Sequence, residues 1–153
     1  MLNNNICGSI YIFINPSFPD YVKIGYSKNV QERINRLNNS SAVPFGFRLY
    51  ATYEVETEYA DKILHRLIDK LNSNLRSVDT INNKLRVREF YLISPEAAYE
   101  LLEDIALLSG TIDRLHLYKP SKDNVDASIF LFYLDASYAA VCNKLRPVTI
   151  RCC

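Results

Sequence analysis

Alternating apolar positions open the chain and predict a β-hairpin. Segment 9–14 alternates isoleucine with other residues until Asn15-Pro16 ends the run. A second short run, 21–25, follows after a loop of about six residues, a spacing that suits a hairpin. If the apolar faces of the two runs coincide, Tyr11 and Lys23 project together from the opposite face, because side chains alternate with period two.

A helical pattern follows the hairpin. Asn29, with Glu32 three residues later, resembles a capping box at a helix N-terminus. Apolar residues then recur at helical spacing at Val30, Ile34 and Leu37. Arg33 lies about 60° around this helix from the first of them, at the border of its buried stripe.

A third strand and a second helix are predicted next. Segment 47–55 is rich in aromatic and β-branched residues, which favours a strand. The core face predicted for the following helix consists of Ala60, Leu64, Leu67, Ile68 and Leu71. Asp61 and His65 are four residues apart and therefore share one flank of that face.

The pattern continues with a polar segment, 72–83, which we predict to be a loop, and with a strand over 87–93. Ser94-Pro95 opens a third helix, with serine as N-cap and proline at the first helical position, and Gly110 closes it. The order β-β-α-β-α-β-α predicts an α/β fold of the α+β kind. Its small mixed sheet should be mainly antiparallel, with helices packed on it.

Length and composition suit one domain. The 153 residues can bury a core, and we predict a domain over 1–118. The composition changes after Tyr118, so 119–153 is interpreted as a linker and a C-terminal extension without an assigned role.

The charge is balanced overall but unevenly distributed. A net charge of +1 does not by itself indicate a nucleic-acid binder. From Lys62 to Arg88, however, seven basic residues stand against two acidic ones. Such a surface can neutralise phosphates, although an ordinary solvated face is an equally good interpretation of the charge alone.

The cysteines and the apolar segments exclude several classes of protein. The four cysteines form no CxxC pair, and only His65 and His116 could complete a zinc site, so neither structural zinc nor a disulfide framework is expected. The N-terminus has no signal-peptide pattern, which predicts a cytoplasmic protein with reduced thiols. The apolar stretch 127–142 is too short to span a membrane and contains Asp135, so no membrane association is expected.

Several short motifs occur in an order that is characteristic of one superfamily. They are Ser9-Ile10-Tyr11, Val22-Lys23-Ile24-Gly25-Tyr26-Ser27, Glu32-Arg33-Ile34-Asn35-Arg36-Leu37, Leu64-His65 and Arg88-Glu89-Phe90-Tyr91. Together they resemble the GIY-YIG nuclease superfamily over about residues 8–108, and most of all its phage-type, Orf172-like DNA-binding branch. The resemblance implies cleavage of a DNA phosphodiester with one divalent metal ion, Mg²⁺ or Mn²⁺, and no small-molecule cofactor.

The resemblance also implies roles for particular residues. Tyr11 stands at the tyrosine of the first motif, where a phenol can relay a proton if a neighbouring cation lowers its pKa. Lys23 stands where the second motif usually has tyrosine and could supply that charge. Arg33 matches the helix arginine, whose guanidinium suits a phosphate.

Two roles depart from the pattern of the superfamily. Asp61 occupies the metal-binding position on the second helix in place of glutamate, and Glu89 is a second candidate ligand. The histidine that many such nucleases carry one turn after the helix arginine is Leu37 here, a vacancy that His65 could fill from the other helix. The expected DNA-binding residues are Lys28, Arg36, Arg66, Lys84, Arg86 and Arg88.

Other interpretations stay open. Tyr11 could be an ordinary strand aromatic, and Lys23 could be a solvated charge on an edge strand. Arg33 and Asp61 could form a structural ion pair, and His65 could be a packing residue. The substitutions at the expected catalytic positions also suit a DNA-binding module without catalysis. A third alternative is an interaction or structural domain that retains only the scaffold.

Overall fold

A single antiparallel sheet organises the part of the chain that this computed structural model describes, residues 5–118. In chain order its elements are β1 (Gly8–Ile14), β2 (Val22–Ser27), α1 (Val30–Asn38), β3 (Arg48–Val55), α2 (Ala60–Leu71), β4 (Arg76–Ile81), β5 (Lys84–Tyr91), α3 (Pro95–Leu108) and β6 (Leu115–Leu117). Short 3₁₀ turns, Ser73–Leu75 and Ile112–Arg114, precede β4 and β6. The strand order is β4-β5-β2-β1-β3-β6. The predicted α+β class is confirmed, and the structure adds β4 and β6 to the predicted elements.

The register of the first hairpin places Tyr11 and Lys23 on one face of the sheet. Tyr11 pairs with Gly25, and Phe13 pairs with Lys23. Because Tyr11 and Phe13 are two residues apart on the same strand, all four positions share a face. The expectation drawn from the alternation of the two runs is therefore confirmed.

Two cores lie on opposite faces of the sheet. The isoleucines of β1 pack with α2 and α3 in the first core, which includes Leu64, Ile68 and Leu102. On the other face Tyr11 and Phe13 pack with α1 in a second core, which is mainly aromatic. β1 is therefore buried on both faces and contributes side chains to both cores.

The helix ends follow the signals in the sequence. The Asn29 side chain accepts a hydrogen bond from the Glu32 backbone N–H at 3.0 Å, and that of Ser94 accepts one from the Ala97 N–H at 3.1 Å. After α3, Gly110 adopts a φ of +67°, which glycine tolerates without steric cost. None of the helices within residues 5–118 is long and apolar enough to cross a membrane.

The predicted core face of α2 is wrong at two positions. Leu67 is 43% exposed and Leu71 is 79% exposed, whereas Leu64 and Ile68 are buried. The sheet covers a narrower stripe of the helix than the sequence pattern suggested, and α2 ends at Leu71.

The prediction of a loop over 72–83 is also wrong. Half of this segment is β4, which pairs with β5 in a hairpin with the two-residue loop Asn82-Asn83. The two asparagines have φ values of 52° and 58°, as a type I′ turn requires. The register shifts between Arg76 and Val78, so the β5 segment 88–90 stands opposite Ser77 alone and forms a bulge. The predicted linker and extension, 119–153, lie outside the described residues.

The turn of this hairpin should depend on residues that tolerate positive φ. Asn83→Ala should destabilise the hairpin by about 1 kcal/mol, because a left-handed conformation is costly for alanine. Asn83→Gly should leave it unchanged or more stable. Amide hydrogen exchange measured at Ile81 and Lys84 should be about fivefold faster in the alanine variant. Equal exchange rates in the two variants would contradict the turn geometry.

Candidate functional site

The centre of the candidate site is a contact between α1 and β1. The Arg33 Nε donates a hydrogen bond to the Tyr11 hydroxyl oxygen at 3.4 Å. Tyr11 is 1% exposed and stacks on Phe13 with ring centroids 4.0 Å apart, so its ring is held rigidly. Arg33 is only partly buried, and therefore the guanidinium is the part of this contact that an external anion can reach.

Lys23 forms an ion pair with Glu89 on the same face of the sheet. The Lys23 ammonium lies 2.5 Å from Glu89 Oε2, and the lysine side chain is 7% exposed whereas that of the glutamate is 40% exposed. The ammonium also lies over the ring of Phe90, 5.2 Å from its centroid. We expected Lys23 to act on the phenol of Tyr11. The cation hydrogen-bonded to that phenol is instead Arg33, because Lys23 is engaged by Glu89.

The bulge in β5 accounts for the position of Glu89. Simple alternation would place Glu89 on the face of Tyr91, which belongs to the first core. Glu89 lies instead within the segment opposite Ser77, where the β4 ladder is interrupted, and its carboxylate reaches Lys23. Bulges commonly redirect a side chain in this way next to functional sites.

The charges around Glu89 and Tyr11 influence one another. Burial raises the pKa of Glu89, but the hydrogen bond and charge of Lys23 outweigh it, with help from His65 and Arg33, so its pKa lies below the ordinary value. Burial raises the pKa of Tyr11 above 10.0, although the hydrogen bond and charge of Arg33 oppose the shift. Tyr11 is therefore a neutral phenol at neutral pH, contrary to the expectation of a lowered pKa.

Gly25 is required beside this tyrosine. A Cβ at position 25 would lie 2.5 Å from the Tyr11 hydroxyl oxygen, closer than a carbon atom approaches an oxygen to which it is not bonded. The glycine of the second motif thus leaves space for the hydroxyl of the first motif. This is a direct structural reason for the two motifs to occur together.

His65 belongs mainly to the opposite side of the sheet. Its Nδ1 is hydrogen-bonded to the Tyr91 hydroxyl, and the two rings stack with centroids 5.6 Å apart. Burial, followed by the charge of Arg76, lowers the pKa of His65, so the imidazole is neutral at neutral pH. Its Nε2 is buried without a hydrogen-bond partner in the described structure. These contacts favour the packing interpretation of His65.

Asp61 lies at the start of α2, where its Oδ1 accepts a hydrogen bond from the backbone N–H of Lys62 at 2.7 Å. Burial lowers the pKa of His65, and the charge of Asp61 partly opposes this; burial raises the pKa of Tyr11, and the charge of Asp61 adds a small contribution. Asp61 is therefore near the candidate site without contacting Arg33, and the alternative of an Arg33–Asp61 ion pair is not observed. Within residues 5–118 no group of three His, Cys, Asp or Glu side chains could hold a metal ion.

The expected DNA-binding residues lie on three exposed surfaces. Lys28 precedes α1 and Arg36 is on it, where it pairs with Glu32 at 2.6 Å. Arg66 is exposed on α2. The remaining three are Lys84, Arg86 and Arg88, which alternate along the exposed part of β5.

The sequence profile of the T5orf172 domain matches residues 8–106, well over half of the 153 residues. The chain belongs to the T5orf172 domain family. This phage-associated family suggests a nuclease or DNA-binding role. No curated protein and no solved structure matches the chain.

In this T5orf172 domain, two supporting residues had no role in the sequence analysis. Tyr91 holds His65, and Phe90 lies beneath the Lys23 ammonium. Both belong to the motif Arg88-Glu89-Phe90-Tyr91, in which only Arg88 and Glu89 were assigned roles from the sequence. The contacts that Phe90 and Tyr91 make depend on the pairing of β5 with β2, which the sequence pattern does not indicate.

The ion pair makes a testable prediction about the titration of Glu89. Lys23→Met keeps an unbranched side chain but removes the ammonium, so the pKa of Glu89 should rise above its ordinary value because burial then dominates. The titration can be followed through the NMR chemical shift of the side-chain carboxyl carbon of Glu89. Lys62→Met, whose ammonium lies over Tyr59 on the surface of α2, should leave this titration unchanged.

The same ion pair should affect the pH dependence of stability. Because the folded pKa of Glu89 lies below its unfolded value, the stabilisation is present above the unfolded pKa and is lost as pH falls through the folded pKa. The loss of unfolding free energy on acidification should be smaller in Lys23→Met. An unchanged Glu89 titration in this variant would refute the ion pair.

Proposed function

We propose that this domain is a metal-dependent DNA endonuclease of the GIY-YIG type, which hydrolyses a phosphodiester bond. One observation carries the proposal: the Arg33–Tyr11 contact and the Lys23–Glu89 ion pair lie on one face of the sheet and are electrostatically coupled. A buried ion pair adds little net stability by itself. Charged groups assembled in this way are characteristic of functional sites.

Arg33 is the residue proposed to bind the scissile phosphate. Its hydrogen bond to Tyr11 raises its pKa, so the guanidinium is charged at any physiological pH. Nε is engaged by the phenol, which leaves the terminal N–H groups to donate to phosphate oxygens. A preorganised cation of this kind stabilises the negative charge that develops as water attacks phosphorus.

Tyr11 is proposed to relay a proton as a neutral phenol. A hydroxyl has one donor and two acceptor positions, and Arg33 uses only one acceptor position here. Tyr11 would therefore accept a proton from the attacking water while its own proton passes to the leaving ester oxygen, so that no free phenolate forms. The water oxygen bonds to phosphorus as one P–O ester bond breaks. The second proton of the water stays on the new phosphate monoester.

The acidic residues suit a hard cation held mainly by water and phosphate. Mg²⁺ commonly uses only one or two protein carboxylates together with substrate phosphates, so a cluster of three side-chain ligands is not required. Glu89 uses Oε2 for Lys23, which leaves Oε1 available, and Asp61 is the second possible ligand. When bound there, Mg²⁺ or Mn²⁺ would supply a Lewis acid for the phosphate.

A non-catalytic DNA-binding module is the second candidate. It is favoured by the burial of Tyr11, which is 1% exposed, and by the ion pair that engages Glu89 with Lys23. In that case Arg33 would bind a phosphate without cleaving the strand. Both candidates predict the same DNA-contacting surface and differ only in chemistry.

Catalysis should depend on the hydroxyl of Tyr11 and the charge of Arg33. Tyr11→Phe should lower the rate of plasmid nicking by about 10²–10⁴-fold, since proton relay is lost, while stability falls by only about 1 kcal/mol. Arg33→Ala should cost about 10²–10³-fold through lost charge stabilisation. Arg33→Lys should restore part of the rate because it keeps the charge without the planar fork.

A matched control for the tyrosine is Tyr53→Phe. This substitution also removes a hydroxyl from a buried ring, but the Tyr53 hydroxyl is bonded to Thr111 at 2.7 Å in the first core. Its nicking rate should equal that of the unsubstituted protein. Cleavage that survives Tyr11→Phe unchanged would place the active site elsewhere.

The two candidate ligands can be distinguished by amide substitution. Glu89→Gln and Asp61→Asn each remove one negative charge with little change of shape. The substitution of the true ligand should reduce nicking and Mn²⁺ affinity together, whereas the other should retain Mn²⁺ binding. Mn²⁺ titration followed by paramagnetic broadening provides a readout independent of cleavage. Unaltered Mn²⁺ affinity in both variants would exclude these carboxylates as ligands.

Binding to DNA should be salt-dependent and weakly selective for sequence. If about four phosphates are neutralised by the basic residues between Lys62 and Arg88, the slope of log affinity against log salt should be near −4. Fluorescence anisotropy with duplexes of two unrelated sequences measures both properties. Salt-independent binding, or no binding at low salt, would remove these residues from the functional account.

A further inference from the structure

The β4–β5 hairpin extends beyond the sheet as a two-stranded ribbon. β5 pairs with β2 only at Phe90 and Tyr91, and β4 pairs with β5 alone. From Val78 through Arg88 every residue is exposed. At about 3.3 Å per residue, the ribbon extends roughly 20 Å from Phe90 to the Asn82-Asn83 turn.

The two faces of this ribbon differ in chemistry. Lys84, Arg86 and Arg88 alternate along β5 and share one face, because side chains alternate with period two. The opposite face carries Leu85, which is 70% exposed, and Val87, which is 51% exposed. Since the first face is basic and the second apolar, the ribbon is amphipathic. Neither face is covered by other residues within 5–118.

The cations of the basic face are available to a ligand. Within residues 5–118, Lys84 and Arg86 form no ion pair, and Arg88 reaches Asp79 only at 3.5 Å between exposed groups. Asp79 pairs in register with Arg86 and is the one acidic residue among these side chains. The face therefore carries a net positive charge at the end of the ribbon farthest from the sheet.

We propose that the basic face of this ribbon enters the major groove of duplex DNA. The major groove, about 12 Å wide and 8.5 Å deep, admits a two-stranded β-ribbon in undeformed duplex DNA, whereas the minor groove, about 6 Å wide, must be widened to admit one. Charge complementarity favours DNA as the occupant, because Lys84 and Arg86 would otherwise face solvent unpaired. This inference rests on the proposed function, since it takes DNA as the ligand.

Groove insertion would make the domain selective for duplex over single-stranded DNA. The bulge that directs Glu89 towards Lys23 lies at the base of the same ribbon, next to the point where β5 joins β2. Docking the ribbon would therefore fix the duplex relative to the candidate catalytic residues. The ribbon would thus position the duplex, and Arg33 and Tyr11 would carry out the cleavage of the phosphodiester bond.

Two double substitutions on β5 provide matched variants. Lys84→Thr with Arg86→Thr removes two of the three cations of the basic face, and Leu85→Thr with Val87→Thr alters the apolar face. Threonine is used in both variants because it favours strands. The first variant should bind duplex DNA at least about tenfold more weakly, and its salt slope should decrease in magnitude by about 2. The second variant should bind DNA like the unsubstituted protein. Circular dichroism checks that both remain folded.

Methylation interference tests the groove directly. Dimethyl sulfate methylates guanine N7, a major-groove acceptor, so premethylated guanines should be depleted from the bound fraction of the unsubstituted protein. That depletion should disappear for Lys84→Thr with Arg86→Thr. Depletion confined to adenines methylated at N3, which lies in the minor groove, would overturn the choice of groove.

The outcomes separate this inference from the proposed function. If the unsubstituted protein binds no DNA, both fail. If it binds DNA, and Lys84→Thr with Arg86→Thr has equal affinity, only the ribbon inference fails. If the apolar-face variant alone changes behaviour by losing self-association in light scattering, the ribbon is a contact between copies of this chain, which also overturns the inference.

Discussion

The ion pair between Lys23 and Glu89 is the interaction on which both the candidate site and the ribbon depend. β5 pairs with β2 at only two positions, so this ion pair is a major additional link between the sheet and the hairpin. Lys23 is buried, and removal of one partner from such a pair typically costs about 3–5 kcal/mol when both are buried. Because Glu89 is 40% exposed, the cost here should be smaller. The same pair holds the Glu89 carboxylate near the face of the sheet that carries Tyr11.

The chemistry proposed for Tyr11 follows from its burial. A phenol that packs against Phe13 and contacts Arg33 cannot ionise easily, since burial outweighs the charge of the guanidinium. A proton relay through a neutral hydroxyl is compatible with this environment, whereas a standing phenolate is not. Gly25 completes the arrangement by leaving room for the hydroxyl. Tyr11 of the first motif and Gly25 of the second are thus adjacent, and the glycine lies beside the hydroxyl oxygen of the tyrosine.

Local features were predictable from the sequence, and long-range features were not. The common face of Tyr11 and Lys23 follows from the period of two in neighbouring strands, and the caps at Asn29 and Ser94 involve residues only three apart. The β4 strand was missed because it is exposed on both faces and lacks a buried apolar alternation. The partner of Lys23 is 66 residues away and reaches it through a bulge, which the sequence pattern does not indicate.

The most direct test of the account is a nicking assay with the unsubstituted protein on supercoiled plasmid. The account predicts conversion of supercoiled to open-circular DNA with Mg²⁺ or Mn²⁺, and complete loss of this conversion when a chelator is added. DNA binding without nicking under any divalent metal would contradict the endonuclease assignment and leave Arg33 and the basic residues as a DNA-binding surface.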